Sequence, residues 1–467
     1  MAQNLADMSA HAMVKGFGAK RFSPTEVLEA VLNRIAQRQP TLNAFQLVDE
    51  KKARRAARAS TERWTKGRPN GLLDGVPVAI KDVTETNGWP TLNGSLAVDP
   101  KGPWREDAVV VERFRASGAV IVGKTTTPEF AWRGITESEV HGVTRNPWNP
   151  KWNPSGSSGG AGAAVASGMV AIATGTDSGG SVRGPASFCN VVGLKPTFGR
   201  VPVWPVSPML MIEHCGPLAR TVRDAALALG IMAGFDPRDG YALGGEAPDY
   251  LHGLERGVRG LRIAYSPTLG VGPIDPAVAK VVAGARRIFS ALGAKVTKVD
   301  LDLSPAIEAS EVIASVIAAR LIKGLGNRSS RLSNPILIET AASADKFSAH
   351  DFINADAARA ALRASMESFH RKYDVLIAPV LSAPPFSVGR DDPPGWKSKH
   401  SGGWFNPAIP FDMTGQPAIS VPCGFSPDGG PIGLQIIGPQ DSDALVLRVA
   451  RAFEKANPVG RKRPPPC

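Results

Sequence analysis

A glycine- and serine-rich segment, residues 152–187, contains the serines best suited to act as nucleophiles. A tract of this composition is usually a flexible linker without chemistry. This one, however, is interspersed with Val, Ile, Met and Ala, and it ends in Asp, Arg and Pro. The first question is therefore which serine could attack a substrate and which group would take its proton.

The first serine pair lies in a GxSxG pattern, Gly156–Gly160, like the nucleophile elbow of α/β-hydrolases. That elbow must follow a buried strand. The preceding residues 145–154 contain three prolines, which exclude a central strand there. A hydrolase triad also needs a histidine base. The histidines have no distinguishing context, and we interpret each as a surface or packing residue: His11, His141, His214, His252, His350, His370 and His400.

A second serine, Ser181, is better placed. It follows a predicted strand over residues 169–175, and α/β proteins build their sites at such strand ends. Gly179 and Gly180 precede it and let the backbone turn its N–H groups inward. Backbone N–H groups of this kind are what an oxyanion hole requires.

Lys81 is the candidate base for such a serine. It stands at the end of the apolar run "GVPVAIKD", whereas nearly all other lysines lie among charged or polar residues. A lysine can act as a base when burial or cationic neighbours keep it neutral. Strand-end lysines are also commonly solvated, so this position alone does not assign the role.

A P-loop pattern, "GAVIVGKT" at residues 118–125, is the main competing motif. A P-loop needs its variable residues in an open turn after a strand. Here those residues are Ala-Val-Ile-Val, which favour a buried strand. We therefore predict core packing rather than nucleotide binding.

The elements that must position these residues form an alternating pattern. A capping box at Ser23–Glu26 begins one helix, and a second helix is predicted over Ala44–Ala59. From residue 73, short apolar runs alternate with helices. The main predicted strands are 76–80, 119–122, 169–175, 261–265, 295–301 and 374–379, followed by a hairpin over 417–438. The pattern predicts a single large α/β domain over 1–467, with a central mixed β-sheet covered by helices on both faces and an N-terminal helical segment of about 1–70.

Composition indicates which partners and which cellular location are expected for the protein. The chain has 54 Lys and Arg against 42 Asp and Glu, and its densest basic cluster, residues 51–60, lacks interleaved aromatics. We interpret this cluster as a solvated helix face, not a nucleic-acid site. The four cysteines form no CxxC pair, and no signal peptide or membrane-spanning run is found. A reducing cytoplasm is the expected location, without membrane attachment.

The chain resembles the amidase signature hydrolases. Their signature runs from a Gly-Ser-Ser-Gly-Gly core to Asp-x-Gly-x-Ser-hydrophobic-Arg-x-Pro, and residues 156–186 follow it at the family spacing. The likeness continues through "GVPVAIKD", "GLKPTFGRVP" and "GQPAISVPCGF" and covers about residues 20–455. Ser155 departs from the glycine usual in the family, and residues 300–400 match least.

The resemblance implies a Ser–Ser–Lys triad and the amidase signature fold. Ser181 would be the nucleophile that forms the acyl-enzyme, Ser157 the bridging serine after a cis peptide at Gly156–Ser157, and Lys81 the base. The oxyanion donors would be the backbone N–H groups of Ser178, Gly179, Gly180 and Ser181. Structural support would come from Ser158, Asp177 and Arg183. Neither a metal nor an organic cofactor is implied.

The expected reaction is hydrolysis of a small-molecule carboxamide to carboxylate and ammonia, with activity rising into the alkaline range. The family's divergent region, here about 300–405, would line the substrate pocket together with residues 207–212, and the 383–404 loop is a candidate lid. Met, Leu and aromatic residues there, including Trp396, Trp404 and Phe405, either favour an apolar or aromatic acyl group or are simply core residues. The alternatives are the glutaminase component (the A subunit) of glutamyl-tRNA amidotransferase, an esterase on the same site, and a non-enzymatic binding protein. A homodimer is compatible with the sequence, which does not fix the oligomeric state.

Overall fold

A mixed sheet of eleven strands forms the centre of the computed structural model, which describes residues 4–396 and 402–465. Its strand order is β1-β3-β2-β6-β8-β7-β12-β13-β11-β9-β10, and β4 and β5 form a separate pair. The strands are β1 Phe45–Val48, β2 Pro77–Lys81, β3 Val120–Thr125, β4 Glu137–Ser138, β5 Gly142–Val143, β6 Ile172–Asp177, β7 Val192–Lys195, β8 His214–Ala219, β9 Arg262–Tyr265, β10 Lys295–Lys298, β11 Val375–Pro379, β12 Ala418–Phe425 and β13 Pro431–Ile437.

Helices cover the sheet on both sides. They are α1 Ala10–Gly18, α2 Pro24–Leu42, α3 Glu50–Thr65, α4 Val109–Ala116, α5 Gly159–Ala166, α6 Arg183–Cys189, α7 Val222–Met232, α8 Pro276–Ala291, α9 Ser304–Leu325, α10 Pro335–Ser343, α11 Ala349–His370, α12 Pro410–Met413 and α13 Asp443–Ala456. In the described ranges, no helix is long and apolar enough to cross a membrane.

The burial of β2 shows why its residues form a central strand. All five of its residues are buried. Val78 and Ile80 pack in one hydrophobic cluster and Ala79 in another, because successive side chains point to opposite faces of a sheet. The predicted α/β class, with helices on both faces of a mixed sheet, is confirmed.

The N-terminal region contains one confirmed and one incorrect prediction. The capping box of Ser23 and Glu26 is present at the start of α2. The helix predicted over 44–59 is wrong at its start, since Phe45–Val48 is strand β1, which pairs antiparallel with β3. Asp49 then caps α3 by accepting a hydrogen bond from the Lys52 N–H. Pairing with a neighbouring strand overrides the local helical pattern here.

The divergent region is mainly helical. Helices α10 and α11 both pack on α9, and α9 and α10 form a wall beside the strand end that carries the Ser181 turn. Glu129 fixes this wall, because its carboxylate accepts the backbone N–H groups of Ser333 and Asn334 at 2.9 and 2.8 Å. Residues 397–401, within the predicted lid, lie outside the described residues.

Candidate active site

The ends of two parallel strands bring the predicted base and nucleophile segments to one edge of the sheet. Lys81 is the last residue of β2, and β6, which pairs in parallel with β2, ends at Asp177. Carboxyl ends of parallel strands share an edge, which is where α/β proteins place their sites. Sequence order alone separates these two residues by almost a hundred positions.

Lys81 is fully buried, and its amine is held by hydroxyl groups. Nζ lies 2.7 Å from Ser157 Oγ and 2.9 Å from Thr176 Oγ1. Within residues 4–396 and 402–465, no carboxylate lies within ion-pair distance of this amine. Burial lowers the pKa of Lys81 to about 8, against the opposing charges of Glu213 and Asp177. The amine is therefore neutral in a large fraction of molecules near that pH.

The loop before α5 fixes the bridging serine. The Gly156–Ser157 peptide is cis, and Ser157 is 1% exposed. A Cβ on Gly156 would lie 2.7 Å from the carbonyl oxygens of Arg133 and Ile135, so only glycine fits there. Ser155, where the family usually has glycine, adopts a φ of 66°, a left-handed conformation that glycine tolerates best.

Ser158 joins the two serine segments. Its N–H donates to the Ser181 carbonyl at 3.2 Å, and its hydroxyl donates to the Thr176 carbonyl at 3.3 Å. The end of β6, the start of α5 and the Ser181 turn are thereby connected. This geometry suits the supporting role predicted for Ser158.

Asp177 organises the turn that presents Ser181. Its Oδ2 accepts the N–H of Val182 at 3.1 Å and Nε of Arg183 at 3.0 Å, and its Oδ1 accepts the N–H of Gly180 at 2.5 Å. Burial would raise the pKa of Asp177, but the charge and hydrogen bonds of Arg183 hold that pKa below its usual range. The carboxylate stays ionised and keeps the turn closed.

Arg183 links this turn to the C-terminal part of the chain. It is fully buried and donates to Asp412 Oδ2 at 2.6 Å, Gln435 Oε1 at 2.7 Å and the Ala408 carbonyl at 2.8 Å. A buried guanidinium with every partner supplied fixes its surroundings. The predicted Asp177–Arg183 ion pair is thus extended to a second carboxylate.

Ser181 lies half-buried on a cavity of about 310 Å³, next to Ser178 and Gly179. Its hydroxyl has no hydrogen-bond partner in the part of the chain that the structure describes, so the predicted contact with Ser157 is not formed as a hydrogen bond. Catalytic hydrogen bonds of ligand-free enzymes are often long and tighten when substrate binds. The Lys81–Ser157 contact is thus formed and the Ser157–Ser181 contact is open.

Three of the four predicted oxyanion donors are available. Among the described residues, the N–H groups of Ser178, Gly179 and Ser181 have no hydrogen-bond partner. The prediction that Gly180 is a fourth donor is wrong, because its N–H already donates to Asp177. Its φ of 118° and the 2.7 Å approach of an added Cβ to Ala408 show that glycine serves the turn itself.

The cavity at Ser181 has mostly apolar walls. Its apolar lining residues are Ala131, Trp132, Met209, Ile212, Ala314, Ile336, Phe405 and Ile409. Trp404 does not line this cavity, since its ring is fully buried and stacked on Phe188, so of the two alternatives core packing is the correct one for this residue. Trp396 packs against the same aromatic cluster and does not line the cavity.

Two residues near the site were missed from the sequence. Thr176 contacts the Lys81 amine, and Glu213 accepts a hydrogen bond from Ser178 Oγ at 3.1 Å. The threonines at 174 and 176 alternate along β6, and both face Lys81. This alternation of polar residues in an apolar strand is the signal by which Thr176 could have been found from the sequence.

No described histidine makes a hydrogen bond to Ser157 or Ser181, as the packing interpretation of the histidines requires. His214 is buried beside the Asp177 carbonyl, and His141 lies against Asp82. In residues 4–396 and 402–465, no group of three or more His, Cys, Asp and Glu is arranged to hold a metal ion. The chemistry that this arrangement can support is attack by a serine, with proton transfer to a neutral amine.

Comparisons with known proteins agree with this geometry. The family model described as Amidase matches residues 26–447. The chain is 36% identical to an acylamidase of Rhodococcus erythropolis, over 99% of this chain and 98% of that protein. It is 35% identical to the A subunit of the glutamyl-tRNA(Gln) amidotransferase of Chloroflexus aurantiacus, over 98% and 99%. The crystal structure of a bacterial aryl acylamidase of the amidase signature family superposes with a TM-score of 0.90 at 31% identity, covering 97% of each chain. This chain belongs to the amidase signature family of hydrolases.

Proposed function

We propose that the protein hydrolyses carboxamides with an apolar or aromatic acyl group, through an acyl-enzyme on Ser181. The observation that carries this proposal is the fully buried Lys81 amine, 2.7 Å from Ser157 Oγ and without a carboxylate partner among the described residues. A neutral amine has one lone pair, and Ser157 is the hydroxyl placed to deliver a proton to it.

Acylation begins when Ser181 Oγ attacks the substrate carbonyl carbon. Its proton passes to Ser157, whose own proton passes to Lys81 Nζ. The tetrahedral oxyanion accepts hydrogen bonds from the free N–H groups of Ser178, Gly179 and Ser181. The C–N bond then breaks as the proton returns through Ser157 to the leaving nitrogen, which gives a Ser181 ester and ammonia or an amine.

In deacylation, water takes the place of Ser181 as the nucleophile, and Ser181 becomes the leaving group. A water molecule attacks the ester carbonyl while Ser157 accepts its proton and passes one to Lys81. Collapse of the second tetrahedral intermediate breaks the bond to Ser181 Oγ, which regains its proton. The products are the carboxylate and the restored enzyme.

The cavity at Ser181 supports an apolar acyl group. Its charged lining residues are Arg133 and Asp391. Arg133 donates to Asp391 Oδ1 at 2.7 Å and lies 3.0 Å from Glu137, so its charge is already compensated. Among the described lining residues, no unpaired cation remains to bind a substrate carboxylate. Within this described lining, the α-carboxylate of free glutamine would therefore find no unpaired cation.

The names of two similar proteins also favour an amide substrate of this kind. The Rhodococcus relative is an acylamidase, and the solved neighbour is an aryl acylamidase. The amidotransferase relative is equally similar over the whole chain, so sequence identity does not separate the two activities. Esters remain substrates that the same acyl-enzyme chemistry would accept.

The test is ammonia release across aliphatic, aromatic and amino-acid primary amides. We expect aromatic and branched aliphatic amides to be hydrolysed and glutamine to be poor. Ser181→Ala should reduce the rate to background, while Ser290→Ala, at an exposed serine on α8, serves as the matched control. Activity that persists in Ser181→Ala would overturn the mechanism, and activity on glutamine alone would overturn the substrate class.

A further inference from the structure

A second cavity of about 240 Å³ lies on the other side of the predicted oxyanion segment. Ala131 and Met209 line both this cavity and the one at Ser181. Between the two cavities lies the contact from Ser178 Oγ to Glu213 Oε2, since Ser178 lines the first cavity and Glu213 the second. The two spaces are therefore neighbours that adjoin at Ala131 and Met209.

The second cavity reaches the base. It is lined by Thr176, whose Oγ1 lies 2.9 Å from the Lys81 amine. In the proposed mechanism, Ser157 and Lys81 return a proton to the leaving nitrogen, so that nitrogen faces Ser157. A substituent on the nitrogen then extends toward the Lys81 side of the site, away from the acyl group.

The ionisable residues of this cavity are acidic. Glu85 and Glu213 line it, and the described lining contains no Lys, Arg or His. Burial raises the pKa of Glu213 and that of Glu85, and the charges of Lys81 and Lys124 behind the wall oppose this rise in Glu213 and Glu85 respectively. The remaining wall is largely apolar and includes Trp204, Val206 and Met209.

Glu213 has one carboxylate oxygen available for a ligand. Oε2 accepts hydrogen bonds from Ser178 at 3.1 Å and Ser207 at 2.9 Å. Among the described residues, no group donates to Oε1, although the residue is only 7% exposed. A carboxylate oxygen without a donor, on a nearly buried residue that lines this cavity, favours a ligand that brings N–H groups.

The geometry points to this cavity as the compartment for the amine part of an N-substituted amide, with Glu213 Oε1 accepting from a short cationic amine. This inference rests on the proposed function and adds the leaving-group side of the substrate. Its volume is below the roughly 300–1,000 Å³ of pockets for drug-sized ligands, which suits a substituent of a few atoms.

The test uses three amides that share one acyl group, the best of the primary-amide panel. They are the primary amide, the N-propyl amide and the N-(2-aminoethyl) amide, and the last two have nearly the same shape. We expect kcat/KM for the charged amide to exceed that for the propyl amide by about tenfold, because one charge-assisted contact distinguishes them. Glu213→Gln should bring this ratio to about one. If Glu213→Gln also weakens the contact with Ser178, kcat/KM falls equally for the charged amide and the propyl amide. That loss cancels in the ratio of the two values.

A second variant tests the cavity without touching Glu213. Val206 is 65% exposed where it lines the cavity, and Val206→Arg should lower the ratio by adding a cation there. Leu72→Arg, at a 55% exposed position outside the cavity lining, is the matched control and should leave the ratio unchanged. A wild-type ratio of one or less, or a ratio that Glu213→Gln does not change, would overturn this inference alone. Hydrolysis that survives in Ser181→Ala would instead overturn the proposed function.

Discussion

Two buried lysines at the ends of neighbouring strands differ in whether a carboxylate accompanies the amine. Lys81 ends β2, and Lys124 lies near the end of β3, paired in register with Ile80. Both are fully buried, and burial lowers the pKa of each. Lys124 Nζ lies 3.2 Å from Asp82 Oδ1 and donates to the Thr84 carbonyl and to Thr91 Oγ1, whereas the partners of Lys81 Nζ among the described residues are the hydroxyl groups of Ser157 and Thr176.

A third buried lysine sharpens this comparison. Lys195 ends β7, and its amine donates to the carbonyls of Pro196 and Gln416. Burial lowers its pKa to about 7, further than that of Lys81. Carbonyl oxygens carry no proton to give, so this amine has nothing to deprotonate. A hydroxyl partner, with no carboxylate at ion-pair distance among the described residues, is therefore what separates Lys81 from the other two lysines, rather than burial or pKa.

The largest expected effect separates Lys81 from Lys195. Lys81→Met should lower kcat/KM for the best amide by about 10³-fold or more, because the general base is lost. Lys195→Met is the matched control, and its folded fraction should retain activity within about tenfold, as for a structural residue. Comparable losses in both variants would contradict the distinction drawn from their partners.

The next effect concerns stability rather than rate. Lys124→Met leaves Asp82 buried without its cation, and we expect the free energy of unfolding to fall by about 3–5 kcal/mol. Denaturant titration at pH 7 measures this loss. The double variant Lys124→Met, Asp82→Asn should recover part of the stability, because the uncompensated charge is gone. A Lys124→Met protein as stable as wild type would show that the ion pair is dispensable.

The smallest effect is the pH dependence of kcat/KM. Only neutral Lys81 accepts a proton, so activity should be half of its plateau near pH 8 and fall about tenfold per pH unit well below it. Thr176→Val removes a hydrogen-bond acceptor that stabilises the charged amine, which should move the midpoint to lower pH. A pH-independent rate between pH 6 and pH 9 would contradict Lys81 as the base.

Most of the strands are predictable from the sequence because they depend on local order, whereas the candidate triad comes from the resemblance of the signature segments to a known family. A strand such as β2 is visible as a run of apolar residues, and the signature serines have fixed spacing. Contacts between distant segments are not predictable in this way. Strand β1 exists because β3 lies beside it, and Thr176 matters because β6 lies beside β2.

Backbone geometry explains the remaining errors. Gly180 has the conformational freedom that an oxyanion donor needs, but the turn directs its N–H at Asp177, which no spacing reveals. Trp404 has the composition of a pocket residue but packs behind the pocket wall. Burial depth within a loop depends on the whole fold and is not encoded in local pattern.

The Arg183 network has a consequence for when the active site can form during synthesis of the chain. The turn that carries the nucleophile, near residue 180, is braced by Asp412 and Gln435, which are synthesised more than two hundred residues later. A nascent chain therefore contains its signature serines long before it contains Asp412 and Gln435, which hold the serine turn in place. Chains truncated before β13 would lack hydrolase activity. That activity would appear only when synthesis is nearly complete.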